Sequence, residues 1–362
     1  MQISLVIPIV KDDVIDEEVS LGVAATLLQQ SGHKVFLTSI KENNENINKI
    51  IEFYPQLVVI ITYQDTLAYV EYLCHKMKER ISGVDIVLVG YAATHYYSDL
   101  LKEGGPYDYA IIGEYEETLC ELSSALQNEI EINQVKGLAY LEQDLVKVTS
   151  NRDTFTEMDM LPFADRSIMV EEKFNYAKIQ GSKGCKMSCC SFCCETGFWN
   201  RINFSWHCRT PCNIVDEIDM IVNTHNIYRF NFNDSNYSDP NRNSNRVMEI
   251  AELLISRNLP ITYFVNIRAD FHKYIAKNEL KFMVKSGFRG GLIGFEAANV
   301  DDLKLYHKAT TINDNLKAAQ LFAEYDLPVE CGFININPYS TLEKLKSNSE
   351  FLHRFSYMCL ML

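Results

Sequence analysis

The sequence predicts an α/β protein built from two successive strand–helix series. The first is a doubly wound parallel sheet of Rossmann-like type, the second a partial (β/α)6 barrel of TIM-like kind. Three observations lead there. Runs such as "QLVVIITY" and "DIVLVGY" are apolar throughout, as in strands covered on both faces. Segments with helical spacing, such as "TLAYVEYLCHKMKERI", separate them, and right-handed crossovers then wind the sheet on both sides. After a change of character near residues 131–175 the alternation restarts and runs to the end of the chain.

In the first series, "ISLVIPI", "KVFLTSI", "QLVVIITY", "DIVLVGY" and "YAIIGEY" read as five strands. "NINKIIEFY" and "THYYSDLLKEGG" have helical spacing between them. Residues 1–130 form the first expected domain. Residues 131–175 read as a hairpin, "GLAYLEQDLVKVTSNRD", and a linker in which Pro162 bars a helix. Residues 176–362 form the second domain. There "AKIQGSKGC" reads as one strand leading into a cysteine loop. "TPCNIVDEIDMIVNTH" reads as a helix with Thr210 as N-cap and Pro211 at its first position. Strands follow at "IYRFNFNDS", "ITYFVNIRAD", "GGLIGFEA" and "PVECGFININP", and "YMCLML" is the expected sixth. Site residues of such a barrel lie in the loops at the C-terminal ends of the strands, which is where the cysteine loop falls.

The 362 residues are 47% hydrophobic and 23% charged, which suits a globular chain with ample core. A formal charge of −14 repels phosphate backbones, so a broad nucleic-acid surface is not expected. No apolar run reaches the roughly 20 residues of a membrane span, and the N-terminus lacks a signal-peptide pattern. The expectation is a cytoplasmic protein. In a reducing cytosol, clustered cysteines are metal ligands or catalytic thiols rather than disulfides.

Five of the eleven cysteines fall within "GCKMSCCSFCC", residues 184–194, with no apolar period. Cys74, Cys120, Cys331 and Cys359 stand alone and read as packing. Zinc would use two ligand pairs, for which Cys190 with Cys193 and Cys208 with Cys212 are available. An iron–sulfur cluster needs thiolates on a short flexible loop and fits the stretch better.

This arrangement, a strand, a cysteine loop with an aromatic before the last ligand and a helix, resembles the radical S-adenosylmethionine (SAM) enzymes. Over nearly the whole chain the sequence resembles their subgroup with an N-terminal cobalamin-binding domain. The family spacing is Cys-x3-Cys-x2-Cys. Anchoring on "CSFC" makes Cys185, Cys190 and Cys193 the implied ligands of a 4Fe–4S cluster, with Phe192 as the aromatic and one extra loop residue. Cys189 is the alternate ligand, since it keeps the x3 step from Cys185. The resemblance places Asp234 and Asn236 of "FNFNDSNYSD", Arg268 of "NIRAD" and Glu296 of "GFEAAN" around SAM, Glu296 on its ribose. Pairing with Asp270 or Asp234 is the structural alternative for Arg268, and a salt bridge that for Glu296. "GFININPYST" departs from the family, with Ile336 in place of a glycine.

In the first domain "VGYAATHYYSDLL" and "IIGEYEETLCEL" resemble the strand ends of cobalamin-binding domains, which carries over Gly90, Thr94, Gly113 and Glu114, with Thr62 from the third strand end. Tyr91 and Tyr115 stand where glycines are usual. No Asp-x-His-x-x-Gly follows "KVFLTSI", so the implied cobalamin is bound without an axial histidine. The resemblance implies reductive cleavage of SAM to a 5′-deoxyadenosyl radical and methylation of an unactivated carbon of a small-molecule or peptide substrate. An external one-electron reductant such as flavodoxin or ferredoxin would feed the cluster. A radical SAM enzyme without functional cobalamin, acting by rearrangement or cyclisation, and a non-catalytic metal-binding protein are the alternatives. No residue is assigned to the catalytic steps themselves.

Overall fold

The computed structural model describes residues 1–10, 16–42, 47–153, 157–185, 187, 189–201, 206–238 and 243–360, with backbone alone for 199–201 and 356–360. Contacts divide these into two compact units: Met1–Thr156, Met160–Phe174 and Phe198–Phe204, and Glu157–Asp159, Asn175–Gly197 and Ser205–Leu362.

The first unit is a seven-stranded sheet. Its strands are β1 (Gln2–Ile9), β2 (Lys34–Lys41), β3 (Leu57–Ile61), β4 (Asp85–Val89), β5 (Tyr109–Ile111), β6 (Leu138–Glu142) and β7 (Leu145–Val148), in the order 2-1-3-4-5-6-7. The helices are α1 (Val19–Gln30), α2 (Ile47–Phe53), α3 (Leu67–Arg80), α4 (Tyr91–Leu100), α5 (Glu116–Leu126) and α6 (Ser167–Glu171). β1 to β5 pair in parallel. All five residues of β3 are buried, as continuous apolar strands require in a sheet covered on both faces. Leu73 and Met77, one turn apart on α3, belong to the same buried cluster as Val58, Ile60, Ile86 and Leu88. The expected hairpin is no appendage: β6 adds antiparallel to β5 and β7 to β6, so the sheet is mixed.

The second unit carries β8 (Ala177–Ile179), β9 (Ser182–Gly184), β10 (Trp206–Cys208), β11 (Arg229–Phe232), β12 (Thr262–Arg268), β13 (Phe288–Glu296) and β14 (Val329–Phe333). The helices that follow these strands are α7 (Cys194–Arg201), whose residues from Phe198 onward group with the first unit, α8 (Pro211–His225), α9 (Asn245–Ser256), α10 (Lys277–Lys285), α11 (Val300–Leu305), α12 (Ile312–Ala323) and α13 (Leu342–Leu360). Five strands form one parallel sheet in the order 14-13-12-11-8. Two expectations change here. "AKIQGSKGC" is not one strand: it breaks at Gln180–Gly181, and β9 leaves the barrel sheet to pair antiparallel with β10. The expected sixth strand is also replaced, because residues 357–360 continue α13, while 361 and 362 lie outside the described residues. Periodicity does not separate a short apolar run in a strand from one in a helix.

Thr210 caps α8 as expected, its hydroxyl accepting from Asn213 N at 3.3 Å with Pro211 behind it. Cys74 is fully buried, Cys120 and Cys331 are half-buried, and the side chain of Cys359 lies outside the described residues. Among the described residues no helix is long and apolar enough to cross a membrane.

Candidate active site

The cysteine loop leaves a closed base. β9 and β10 pair Ser182 with Cys208, Lys183 with His207 and Gly184 with Trp206. Gly184 takes φ +76°, a region that favours glycine, and Cys185 follows it. The loop is then stitched to the turn after α11. Ser191 donates its backbone N–H to Tyr306 O at 3.0 Å and its hydroxyl to Leu305 O at 2.8 Å. Cys189 donates its thiol to His307 O at 3.4 Å. Cys193 N–H donates to Cys190 O at 3.3 Å, which folds the "CSFC" segment into a tight turn.

The two candidates for second ligand differ in surroundings. Cys189 is exposed and engaged with His307. Cys190 is 8% exposed, and burial pushes its thiol up while Lys308 and Arg268 pull it back down. Cys185 and Cys193 are half-buried, and Cys194 is exposed at the start of α7. Burial opposes the charge of Arg268, but Asp270 more than offsets this, and Cys190 and Cys185 add to the same effect. Among the described residues no three His, Cys, Asp or Glu side chains converge as the ligands of a single ion would. Thiolates on separate irons of one cluster stand further apart, and soft sulfur donors beside fixed positive charge are the donor set that such a cluster takes.

A row of charge lies at the strand ends. Arg268, closing β12, donates to Asp270 at 3.1 Å and to Lys308 O at 2.8 Å. Lys308 donates to Glu296, closing β13, at 2.7 Å, with both side chains nearly buried. Both structural alternatives raised for Arg268 and Glu296 are thus present as contacts. Glu296 holds φ +65°, a strained backbone for a non-glycine residue. A Cβ on Gly294 would meet Glu296 Oε1 at 2.6 Å and Lys308 Nζ at 2.8 Å, so the pair lies directly on the strand backbone. Phe192 is 41% exposed, packs edge-on to Tyr306 at 5.4 Å and carries the Lys308 ammonium 5.7 Å from its centroid. Half-buried Asn236 exchanges hydrogen bonds with Ser238 in a turn beyond β11.

Asp234 is held apart from this row. It is fully buried, and its carboxylate accepts from Gly181 N at 3.0 Å and from the Ser182 hydroxyl, with Arg246 at 3.6 Å. Burial pushes this carboxyl up, and Arg246, Ser182 and Gly181 offset part of that. The side chain faces the β8–β9 corner and presents no surface to a ligand. The two groups that donate to its carboxylate lie 53 and 52 residues upstream, out of reach of any local pattern.

In the first unit the expected residues lie at the C-terminal strand ends. Gly90 has φ +93° and Gly113 φ +87°. A Cβ on Gly90 would meet Ile61 Cγ1 and Thr62 O at 3.2 Å. Thr62 and Thr94 are fully buried, and their hydroxyls are used within the unit. Thr62 donates to Val89 O at 2.8 Å and accepts from Ala93 N, and Thr94 accepts from Gly113 N at 3.0 Å. They brace the two glycine turns. Glu114 is half-buried beside them. Tyr91 stacks on Tyr63 with centroids 6.1 Å apart and meets Phe198 at 4.9 Å. Burial and Glu18, which accepts from its hydroxyl at 2.7 Å, keep Tyr63 neutral. Backbone turns without side chains and an aromatic face suit a flat macrocycle.

Residues 16–123 match the B12-binding domain family. Beyond that domain, the proteins that the chain resembles include ones named as cobalamin-dependent or radical SAM enzymes. The chain is 29% identical over 310 residues to the anaerobic magnesium-protoporphyrin IX monomethyl ester cyclase of Cereibacter sphaeroides, covering 82% of this chain and 49% of that protein. To the same-named cyclase of Synechocystis it is 27% identical, covering 85% and 62%. The chain thus spans about half to three-fifths of these relatives. Among solved structures, the cobalamin-dependent SAM radical enzyme OxsB superposes with TM-score 0.78 at 21% identity, over 97% of this chain and 51% of that one. The radical SAM methyltransferase TsrM of Kitasatospora setae superposes with TM-score 0.75 at 15% identity, over 97% and 71%.

Two residues escaped the sequence reading. Lys308 sat unremarked inside "LYHKATT", and Arg246 inside a helix with an ordinary amphipathic pattern. A lone lysine or arginine in such a stretch reads as a solvated charge. Only the 6% exposure of each reveals otherwise.

Proposed function

We propose that this chain is the cofactor-bearing part of a cobalamin-dependent radical SAM enzyme that methylates an unactivated carbon of a small-molecule substrate. The observation that carries the reading is the cysteine loop itself. It follows β9, where the chain has turned out of the barrel sheet, buries Cys190, whose thiol Lys308 and Arg268 pull down, and sets Phe192 against Lys308 of the Glu296–Lys308 pair.

Cys185, Cys190 and Cys193 would hold a 4Fe–4S cluster, with Cys189 as the alternate. Glu296 would accept from the SAM ribose hydroxyls, since a carboxylate can accept from both. Arg268 would face the SAM carboxylate, with Phe192 and Asn236 shaping the edge of the site. Gly90, Gly113 and Glu114 would line the corrin, on turns braced by Thr62 and Thr94. When bound, cluster and SAM supply a 5′-deoxyadenosyl radical on reduction, and cobalamin supplies a methyl carrier. The chain's own tasks are to orient SAM, to keep water and stray hydrogen donors away, and to hold the corrin. A flavodoxin- or ferredoxin-type reductant, a reducing cytoplasm and no nucleic-acid partner complete the reading, in keeping with the net charge of −14.

Anaerobic purification and reconstitution test it. The expected protein is brown, binds about four irons per chain in one cluster, absorbs as a corrinoid after cobalamin loading and releases methionine and 5′-deoxyadenosine from SAM on reduction. A colourless protein carrying zinc would sink the reading. SAM labelled in its methyl group then separates methyl transfer from ring formation: label in the product supports transfer, and an unlabelled cyclised product overturns it.

A further inference from the structure

The corner Gln180–Ser182, three residues ahead of Cys185, is gripped from several sides by buried groups. Gly181 N–H donates to Asp234 at 3.0 Å, and the Ser182 hydroxyl donates to the other oxygen of the same carboxylate. Gly181 O accepts from Arg246 at 2.9 Å and from Arg209 N at 2.9 Å. Arg246 also donates to Tyr237 O at 3.2 Å, and the Asn266 amide donates to Asp234 O at 3.2 Å. Asp234 and Arg246 are 0% and 6% exposed. The corner is close-packed: a Cβ on Gly181 would meet Arg246 Nη2 at 2.8 Å, Ile214 Cδ1 at 3.1 Å and Asp234 Oδ1 at 3.2 Å, and would displace the guanidinium.

This is more fastening than a strand end needs. Here the chain turns out of the parallel barrel sheet into the antiparallel ribbon that delivers Cys185. A carboxylate out of water is costly unless paired and fully hydrogen-bonded, so its placement at this bend fixes one geometry and disfavours others. We propose that Asp234, held by Arg246, is a positioning residue for the first cluster thiol: it sets the β8–β9 corner and thereby the place of Cys185, and does not itself touch SAM. The inference rests on the reading of Cys185 as a ligand.

The test uses Asp234→Ala and Asp234→Asn in the full chain, prepared anaerobically beside the wild type. Three readouts are taken: alkylation rates of individual cysteines in the apo protein by mass spectrometry, iron retained against a chelator, and the electron paramagnetic resonance spectrum of the reduced cluster with and without SAM. In Asp234→Ala, Cys185 should alkylate faster while half-buried Cys331 keeps its rate, and iron affinity should fall about 10-fold or more, as for residues that orient metal ligands. Asp234→Asn keeps an acceptor at the corner and should restore most of both. Unchanged alkylation and iron with the SAM-induced spectral change lost would overturn the proposal, because Asp234 would then be a SAM contact. Uniformly faster alkylation of all cysteines in both variants would overturn it too, as a purely global effect. Should Asp234→Ala fail to fold, Ser182→Ala removes a single donor from the same corner and must show the same selective change at Cys185. The alkylation arm needs no cluster, so a wild-type protein that binds no iron would defeat the functional reading while leaving the corner itself measurable.

Discussion

The two sheets finish their strand ends by different means. In the first unit the strand interiors are apolar, and the turns beyond β4 and β5 offer backbone: Gly90 and Gly113 in the left-handed region, braced by the buried hydroxyls of Thr62 and Thr94. In the second unit the strands end in charge, with Arg268 on β12 and Glu296 on β13 joined through Lys308. The difference follows from what each edge would hold. A broad ring with few charges needs room and flat surfaces, whereas a zwitterionic, cationic cofactor needs matched charges in a fixed order. It also sets how each region fails: the first through shape, the second through charge.

The largest expected break is at the cysteine loop. Cys190→Ala should abolish the cluster, and Cys189→Ala should spare it, as read by iron and sulfide content and by the visible absorbance of the reconstituted protein. The reverse result would move the second ligand to Cys189. Next comes Glu17→Ala in the first unit. Glu17 and Arg166 form an ion pair at 3% and 2% side-chain exposure, and removing one partner of such a pair costs about 3–5 kcal/mol. Denaturant unfolding should show the loss; a change below about 1 kcal/mol, the worth of an exposed pair, would mean that shape alone holds this unit.

Glu296→Gln should weaken SAM binding by about 1.5–3 kcal/mol, the worth of hydrogen bonds to a charged group, while cobalamin binding stays unchanged. Isothermal titration measures both, and equal losses would erase the contrast between the two edges. Gly90→Ala should do the opposite. A Cβ at φ +93° costs about 1–2 kcal/mol and crowds Thr62 O, so corrin binding falls and SAM binding does not.

The smallest effect is with pH. Asp302 and Asp314 lie in the second unit. Burial opposes their charge, but Lys344 with Asn299, and Lys273 with Thr311, hold both carboxyls below the ordinary range. A folded pKa below the unfolded value of about 3.9 gives stability that is present above that pH and lost as pH falls through the folded value. Acid titration should therefore leave stability flat near neutrality and lower it below about pH 4. Asp302→Asn should flatten that acid limb; an unaltered limb would remove Asp302 from the account.

Much of the fold was legible because continuous apolar runs and helical spacing are local properties. The strands of both sheets and the Thr210–Pro211 helix start all follow from them. The cysteine loop was legible because five thiols without an apolar period leave few other readings. What was not legible depends on partners far away along the chain. "AKIQGSKGC" looks like one strand until β10 arrives to pair with its second half. The apolar end "YMCLML" carries too few residues for a period to choose between strand and helix.

The sequence by itself determined the α/β alternation through most of the chain and the thiols available to a cluster, because composition and periodicity encode burial directly. Tertiary structure alone decided that Cys190 is buried while Cys189 is exposed, that Lys308 links Glu296 to Arg268, and that Asp234 turns to the β8–β9 corner. The physical reason is common to the last two. A charged or polar side chain is placed by whichever partner satisfies it out of water, and that partner is 52 or 53 residues away for Asp234 and 40 for Arg268.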